Sequence, residues 1–273
     1  MTTNVFAGPI KNQEIDLATI LELARGYGAR SVEIRDDGAS LHVKTVQTLK
    51  SIADGMGLSL TYAIKNEMSA GDDRVLFQRG ASLASILGEK TVMRVLGAQE
   101  FLKPDGRRGY SADEGMKIAK IAEDYGRIAS GAGILVAIEN AREPLYGDGS
   151  SWGMTELIRM ISSKYVGLTF DPANSTSKSL CKAPATEADV LRFASAFADK
   201  IFLVHYKTTT GGEVQPALAE GDVRSEKLFG SLGAFQGTVC VEIPGSRDLT
   251  ETKLDLEKSF SYLRQDSLAR FFQ

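Results

Sequence analysis

The sequence predicts a single (β/α)8 TIM barrel, an α/β fold, extending over residues 1–273. Short apolar, β-branched runs alternate with longer segments of helical periodicity. Successive runs begin 27 to 43 residues apart, and one βα unit needs about 30 residues. The length of 273 residues is close to that of a typical barrel of this kind. No linker rich in Pro, Gly or Ser divides the chain, so we expect one domain.

Eight apolar runs are predicted as strands. They cover 4–8, 31–35, 58–64, 91–96, 134–139, 166–171, 201–206 and 238–243. The rival architecture is a doubly wound open sheet, which usually carries a Gly-rich phosphate-binding turn after its first strand. The first predicted strand is instead followed by the sequence GPIK at 8–11, which favours the barrel.

Three helices have clear sequence signals. Residues 15–28 place apolar side chains near one helical face. Ser111 and Glu114 form a capping-box pattern at the start of a helix over 112–131. Thr186 is followed by acidic residues that complement the helix dipole, which predicts a helix over 186–198.

Composition excludes several classes of protein. With a formal net charge of −3, the chain has no electrostatic basis for non-specific nucleic-acid binding. No apolar run approaches the length of a membrane span, and the N-terminus lacks a signal-peptide pattern. The only cysteines, Cys181 and Cys240, do not suggest a disulfide scaffold. We therefore expect a cytoplasmic protein with no nucleic-acid or membrane partner.

Ionisable side chains lie at the C-terminal side of seven of the eight predicted strands. In a parallel barrel these ends meet at one rim, where active sites are built. The longest loops, predicted at 100–111 and 140–153, follow strands and lie at the same rim. The sequence therefore predicts a polar cup formed by Glu33, Arg35, Lys65, Arg94, Glu139, Asp171, His205, Lys207 and Glu242.

Within this cup, the last four strands contribute Glu139, Asp171, His205 and Glu242. Three carboxylates at one place repel one another unless a cation lies between them. Mixed oxygen and nitrogen ligands suit Mn²⁺, which we expect first, and also Co²⁺, Mg²⁺ or Zn²⁺. The four residues are therefore predicted to bind one divalent metal ion.

Each of these residues also has a plainer interpretation. A single histidine in an apolar strand is more often a hydrogen-bonded core residue than a ligand, but three carboxylates at equivalent positions favour ligation by His205. Glu139 could cap the segment after its strand, and Asp171, which precedes Pro172, could form a turn. Arg94 and Lys65 could serve only as salt-bridge partners.

Five segments resemble those of the xylose isomerase-like TIM barrels, also described as the sugar isomerase/epimerase and AP endonuclease 2-like family. The segments are ILVAIEN at 134–140, VGLTFDPAN at 166–174, IFLVHYK at 201–207, and AEGDVRSEKLF with GTVCVEIPG at 219–229 and 237–245. The superfamily includes ketose 3-epimerases, hydroxypyruvate isomerase, inosose dehydratase and the endonuclease IV group. The ordered set Glu, Asp, His, Glu at strand ends carries the resemblance.

The resemblance to the epimerases implies metal ligands at Glu139, Asp171, His205 and Glu242, with both glutamates as acid/base catalysts. A metal held by two substrate oxygens acidifies the neighbouring C–H. One glutamate can then remove the proton, and the other can return it to the enediolate from the opposite face.

Two positions depart from the epimerase pattern. Asn174 stands where the epimerases usually have a substrate-contacting histidine, and Lys207 stands in place of an arginine. We expect Lys207, Arg94, Asn174, Lys65 and Arg35 to bind substrate, and the cations favour a carboxylate-bearing sugar derivative. With two histidines, the chain cannot form the three-metal site of the endonuclease IV group.

Three functions stay open at this point. The first is a metal-dependent isomerase or epimerase of a small sugar or sugar acid. The second is a lyase of the same fold (a dehydratase, a decarboxylase or a C-glycoside-cleaving enzyme) that uses the same enolate. The third is a non-catalytic subunit. We expect a homo-oligomer, and a partner subunit is a further expectation.

Overall fold

Seven parallel strands form the central sheet, within the residues that the computed structural model describes: 1–68, 74–97, 109–181, 183–233, 235–245 and 248–272. Their order is β1-β2-β3-β4-β5-β6-β9, so neighbours in sequence are neighbours in space. The strands are β1 (Ser31–Asp36), β2 (Ser59–Glu67), β3 (Val92–Leu96), β4 (Leu135–Glu139), β5 (Val166–Phe170), β6 (Ile201–Tyr206) and β9 (Thr238–Val241). A short antiparallel hairpin of β7 (Thr209–Thr210) and β8 (Glu213–Val214) follows β6.

Helices connect the strands and cover the outside of the sheet. They are α1 (Ala7–Lys11), α2 (Leu17–Gly26), α3 (Val43–Met56), α4 (Arg74–Leu87), α5 (Ala112–Ala132), α6 (Met154–Met160), α7 (Pro172–Thr176), α8 (Glu187–Ala196), α9 (Ser225–Ser231), α10 (Leu249–Leu263) and α11 (Asp266–Ala269). This alternation of parallel strands and helices confirms the predicted TIM-barrel fold class.

The barrel is nearly closed by the first two residues of the chain. The backbone N–H of Thr2 donates to the carbonyl of Val241 in β9 at 3.1 Å, and that of Glu33 in β1 donates to the carbonyl of Met1 at 2.8 Å. Thr2 also forms an isolated parallel bridge with Glu33. Met1 and Thr2 thus lie between the two edge strands and satisfy backbone groups that would otherwise be exposed at those edges.

The predicted first strand at 4–8 is wrong. Those residues form a 3-10 helix, Thr3–Phe6, which runs into α1. The Thr2 side chain caps this helix by accepting the Asn4 backbone N–H. Val5 and Phe6 are fully buried, as the apolar pattern requires, but a short apolar run does not distinguish a buried strand from a buried helix.

The three predicted helices are confirmed with small shifts at their ends. Helix α2 begins after Asp16, whose carboxylate accepts the Thr19 N–H. Both halves of the capping box at Ser111 and Glu114 are present at the start of α5. Gly133 ends α5 with φ of 71°, a left-handed conformation that costs glycine little. Thr186 caps α8.

Several other expectations can be compared with the structure. Most of the predicted loop at 100–111 lies outside the described residues, whereas 140–153 follows β4 as expected. Both cysteines are buried. Among the described residues, no helix combines the length and apolarity needed to cross a bilayer. The cytoplasmic location stays a prediction.

Packing of α5 against β5 leads to a stability prediction. A Cβ atom built at Gly126 would lie 2.8 Å from the Ser163 Cβ and 3.1 Å from the Val166 Cγ2. Gly126→Ala should therefore lower the free energy of unfolding by about 1–3 kcal/mol through overpacking.

Gly131→Ala in the same helix is the matched control. Its Cβ would have nothing within 4 Å, so the better helix propensity of alanine should raise stability by about 0.5 kcal/mol. Urea denaturation measures both changes. Equal effects at the two glycines would contradict the packing described here.

Candidate metal centre

Four side chains converge at the C-terminal end of the sheet as the sequence predicts. Glu139 ends β4, Asp171 follows β5, His205 lies in β6 and Glu242 follows β9. One ligand atom from each residue lies within 4.8 Å of all the others. All four residues are at least 95% buried. Their donor set of three carboxylates and one imidazole fits a divalent cation such as Mn²⁺, Mg²⁺ or Zn²⁺.

The two oxygens of the Asp171 carboxylate have different partners. Its Oδ1 accepts the backbone N–H of Asn174 at 3.0 Å and so caps α7. Pro172 follows at the first helical position, where its missing N–H leaves nothing unsatisfied. The other oxygen, Oδ2, faces Lys207. The cap therefore fixes the carboxylate while leaving one oxygen turned into the site.

The His205 ring has carboxylates at both of its nitrogens. Nδ1 lies 3.2 Å from Glu139 Oε1 and 3.3 Å from Glu242 Oε2. Nε2 lies 2.9 Å from Glu33 Oε2. Burial opposes a charge on the ring, but Glu33, Glu242 and Glu139 outweigh burial and raise the pKa of His205 well above its ordinary value.

Cationic side chains balance most of the buried negative charge. Lys207 bridges Asp171 and Glu242, with its Nζ 2.8 Å from Glu242 Oε2. Arg35 Nη1 lies 3.1 Å from Glu242 Oε1. Burial alone would raise the pKa of Glu242, but Lys207, His205 and Arg35 hold it well below its ordinary value. The Glu242 carboxylate is therefore ionised at neutral pH.

Of the remaining predicted site residues, two contact Glu139 and one lies away from the site. Asn174 Nδ2 lies 3.3 Å from Glu139 Oε1. Arg94 is fully buried and its Nε lies 3.4 Å from Glu139 Oε2, so it acts as a counter-ion beneath the site. Lys65 is exposed and is absent from the lining of the cavity described next. The structure thus brings Asn174 and Arg94 to Glu139 and leaves Lys65 apart.

A cavity of about 400 Å³ opens above the four residues. Of the predicted site residues, Arg35, Glu139, Asn174, Lys207 and Glu242 line it. Asp171 and His205 lie beneath its floor, since neither is exposed. The volume lies at the small end of the range for ligand sites. A larger cavity, of about 1060 Å³, lies at the opposite end of the strands and contains none of the predicted site residues.

Sequence reasoning left three residues out of the predicted site. Asn4 Nδ2 donates to Glu242 Oε1 at 3.3 Å. The sequence analysis missed this contact because it predicted a strand at 4–8 instead of a helix. Arg142 lines the cavity from the loop after β4. Glu33 contacts His205. The one sequence signal for this contact was the position of Glu33 in the predicted polar cup. Residue types alone did not indicate that it lies behind the histidine.

Comparisons with known proteins agree with this fold. A family model described as a xylose isomerase-like TIM barrel matches residues 21–266. No curated protein matches the chain in sequence.

Solved structures with a similar fold share little sequence with the chain. An L-ribulose 3-epimerase is 17% identical with a TM-score of 0.71, covering 100% of this chain and 94% of its own. A D-psicose 3-epimerase with D-tagatose, from Clostridium cellulolyticum H10, is 12% identical with a TM-score of 0.66, covering 92% and 93%. A xylose isomerase-like TIM-barrel protein from Mycobacterium smegmatis, in complex with magnesium, is 17% identical with a TM-score of 0.64, covering 92% and 89%. At these identities the similarity shows the fold.

The bridging position of Lys207 gives a prediction for the metal-free protein. Lys207→Gln leaves two buried carboxylates without their shared cation and should lower the free energy of unfolding by about 3 kcal/mol. The measurement is chemical denaturation in the presence of a chelator.

Lys50→Gln is the matched control, because Lys50 pairs with the largely exposed Asp54. Loss of an exposed pair within one helix should cost about 0.5 kcal/mol or less. A cost for Lys207→Gln as small as this would mean that Lys207 does not balance the buried carboxylates.

Proposed function

Because the chain belongs to the xylose isomerase-like TIM-barrel family, we propose that it is a divalent-metal-dependent isomerase or epimerase of a small sugar or sugar-acid derivative. The observation that carries the proposal is the convergence of Glu139, Asp171, His205 and Glu242 within 4.8 Å, directly under a cavity of sugar size. A cation beside carboxylates suits a reaction through an enediolate, because the cation stabilises the negative charge and a carboxylate can move the proton.

The residues present fit a bound cation. Four buried carboxylates, those of Glu33, Glu139, Asp171 and Glu242, face three buried or half-buried cations, Arg35, Arg94 and Lys207. These described groups carry one net negative charge when His205 is neutral, and a divalent ion would change the balance to one net positive charge. When bound, such an ion polarises a substrate carbonyl and acidifies the adjacent C–H.

Glu139 and Glu242 are suited to move the proton. Both line the cavity, and both lie within 3.3 Å of the same nitrogen of His205. They come from strands separated by β5 and β6, so they can approach a small substrate from two directions. One carboxylate takes the proton from carbon, and the other returns a proton to the enediolate.

The cations at the cavity favour an oxygen-rich, anionic substrate. Arg35, Arg142 and Lys207 line the cavity together with Asn174. Arginine and lysine donors bind carboxylate and hydroxyl oxygens well, and a net positive site stabilises the negative charge of an enediolate. Mn²⁺ is the proposed ion. The two 3-epimerases of the same fold, named for D-psicose and L-ribulose, support sugar chemistry.

Metal binding gives the first test. Mn²⁺ at 100 times its dissociation constant should stabilise the fold by about 2.7 kcal/mol, which raises Tm by about 5–10 °C for a chain of this size. Asp171→Asn removes one charged ligand while asparagine can still cap α7, and it should lose most of this shift.

Asp16→Asn makes the same change at the start of α2, where Asp16 caps the helix far from the site. It should retain the full metal-induced shift. Differential scanning calorimetry with isothermal titration of the metal measures both. A wild-type chain whose Tm does not respond to any of the four proposed metals would refute the metal site.

Proton transfer gives the second test. The metal-loaded protein is mixed with small ketoses and their oxidised acids in D2O, and NMR follows deuterium uptake at carbon. Glu139→Gln and Glu242→Gln should each lower the exchange rate by about 10²–10⁴-fold, because each removes an acid/base group.

Glu143→Gln is the control for loss of a nearby carboxylate. Glu143 is held by Tyr110 and by the N–H groups of Ala141 and Arg142, and it does not line the cavity. This variant should exchange at a rate within a few-fold of the wild type. Uptake without loss of a group supports isomerisation, whereas release of water, CO2 or an aglycone would assign the chain to the lyases instead.

A further inference from the structure

Glu33 is a buried carboxylate that the proposed reaction does not use. It lies in β1, on the far side of His205 from the predicted metal ligands, and is 1% exposed. Its Oε2 lies 2.9 Å from His205 Nε2. Its other oxygen, Oε1, has no hydrogen-bond partner among the described residues. An unpaired buried acceptor is uncommon in a folded protein and calls for an explanation.

The geometry gives the two ring nitrogens of His205 different surroundings. Nε2 faces Glu33 alone, whereas Nδ1 faces Glu139 and Glu242 at 3.2 and 3.3 Å. A carboxylate only accepts hydrogen bonds, so without a metal the carboxylates favour a proton on both nitrogens. A cation held by Glu139, Asp171 and Glu242 would displace the Nδ1 proton, whereas Glu33 would retain the proton on Nε2. In the neutral ring, a proton on Nε2 leaves the lone pair on Nδ1, where the other three candidate ligands converge.

We propose that Glu33 is a positioning residue that keeps the proton on Nε2 of His205 and so makes Nδ1 the metal-binding atom. This inference rests on the metal site of the proposed function and adds a residue that does not touch the metal. Carboxylates behind metal-binding histidines fix the tautomer and orientation of the ring and raise its basicity. Glu33 has the burial, the distance and the direction that this role requires.

A second possible metal site, which includes Cys240, would bind the ion through Nε2 of His205 instead of Nδ1. Cys240, the neighbour of His205 in the β6–β9 register, forms a possible three-residue metal cluster with Glu33 and His205. A metal bound there would use Nε2 and the Cys240 sulfur. The Glu33–His205 hydrogen bond favours metal binding at Nδ1, because Glu33 then accepts the Nε2 proton. Metal binding at Nδ1 also allows Glu139, Asp171, His205 and Glu242 to bind the same ion.

The experiment uses the full-length chain loaded with ¹¹³Cd²⁺ and labelled with ¹⁵N-histidine. The sequence contains two histidines, and His42 is exposed, so His42→Gln identifies the His205 signals. We expect one-bond cadmium coupling at Nδ1 and a directly bonded proton at Nε2. The proton should exchange slowly with solvent, since His205 is fully buried.

Substitutions separate positioning from structural support. Glu33→Gln should weaken metal binding by about tenfold and Glu33→Leu by up to about 100-fold. Glu33→Leu leaves the buried Nε2–H of His205 without an acceptor and should lower the stability of the metal-free protein, whereas Glu33→Gln retains an oxygen acceptor at this position. The Nε2 proton should exchange faster in Glu33→Leu than in the wild type.

Asp36→Asn is the matched control on the same strand. Asp36 is buried and bound by Tyr62 and Arg79, three positions beyond Glu33 and on the other face of β1. This variant should lose stability but keep the Nδ1 coupling and the wild-type metal affinity.

Each outcome decides between the proposals. Unchanged metal affinity in Glu33→Leu, with cadmium coupling at Nδ1, would overturn the role of Glu33 and leave the metal site intact. Cadmium coupling at Nε2 or a ¹¹³Cd shift typical of a sulfur ligand would overturn the role of Glu33 and assign the metal to Glu33, His205 and Cys240 instead. A wild-type chain that binds none of the tested metals would overturn the role of Glu33 together with the proposed function.

Discussion

The balance of buried charge at one end of the barrel is the constraint on which the site depends. Carboxylates from Glu139, Asp171 and Glu242 meet in a region that is almost fully shielded from water. Like charges in such a region are costly unless cations or hydrogen-bond donors face them. Lys207 supplies a shared ammonium to Asp171 and Glu242. When His205 is neutral, the described buried groups carry one net negative charge, which favours the entry of a divalent ion.

The end of the barrel that holds the site is built in layers. Glu139 and Glu242 reach the cavity, whereas His205 lies below them with no exposure to solvent. The layer that lines the cavity is suited to contact with a substrate and to proton transfer, because a ligand in the cavity can reach it. The buried layer is suited to hold charge and geometry fixed, because its groups are surrounded by protein and cannot reorient freely.

Closure of the barrel and formation of the site are linked through the start of the chain. Met1 and Thr2 hydrogen-bond to both edge strands, and the 3-10 helix that follows places Asn4 against Glu242. The backbone that covers the sheet edges therefore also contributes a donor to the candidate metal centre. A loss of order in this segment would affect both the edge pairing and the environment of Glu242.

The sequence by itself determined the alternation of strands and helices, the helix caps and which four side chains meet at one end of the barrel, because these follow from local periodicity and from charges at strand ends. It did not determine that residues 4–8 form a helix, since a buried apolar run fits either structure. Only the tertiary structure decided that Arg94 lies beneath Glu139, that Lys65 lies outside the cavity and that Glu33 faces Nε2 of His205. These contacts join residues 45 to 172 positions apart in sequence, and the rotation of the strands around the barrel brings them together.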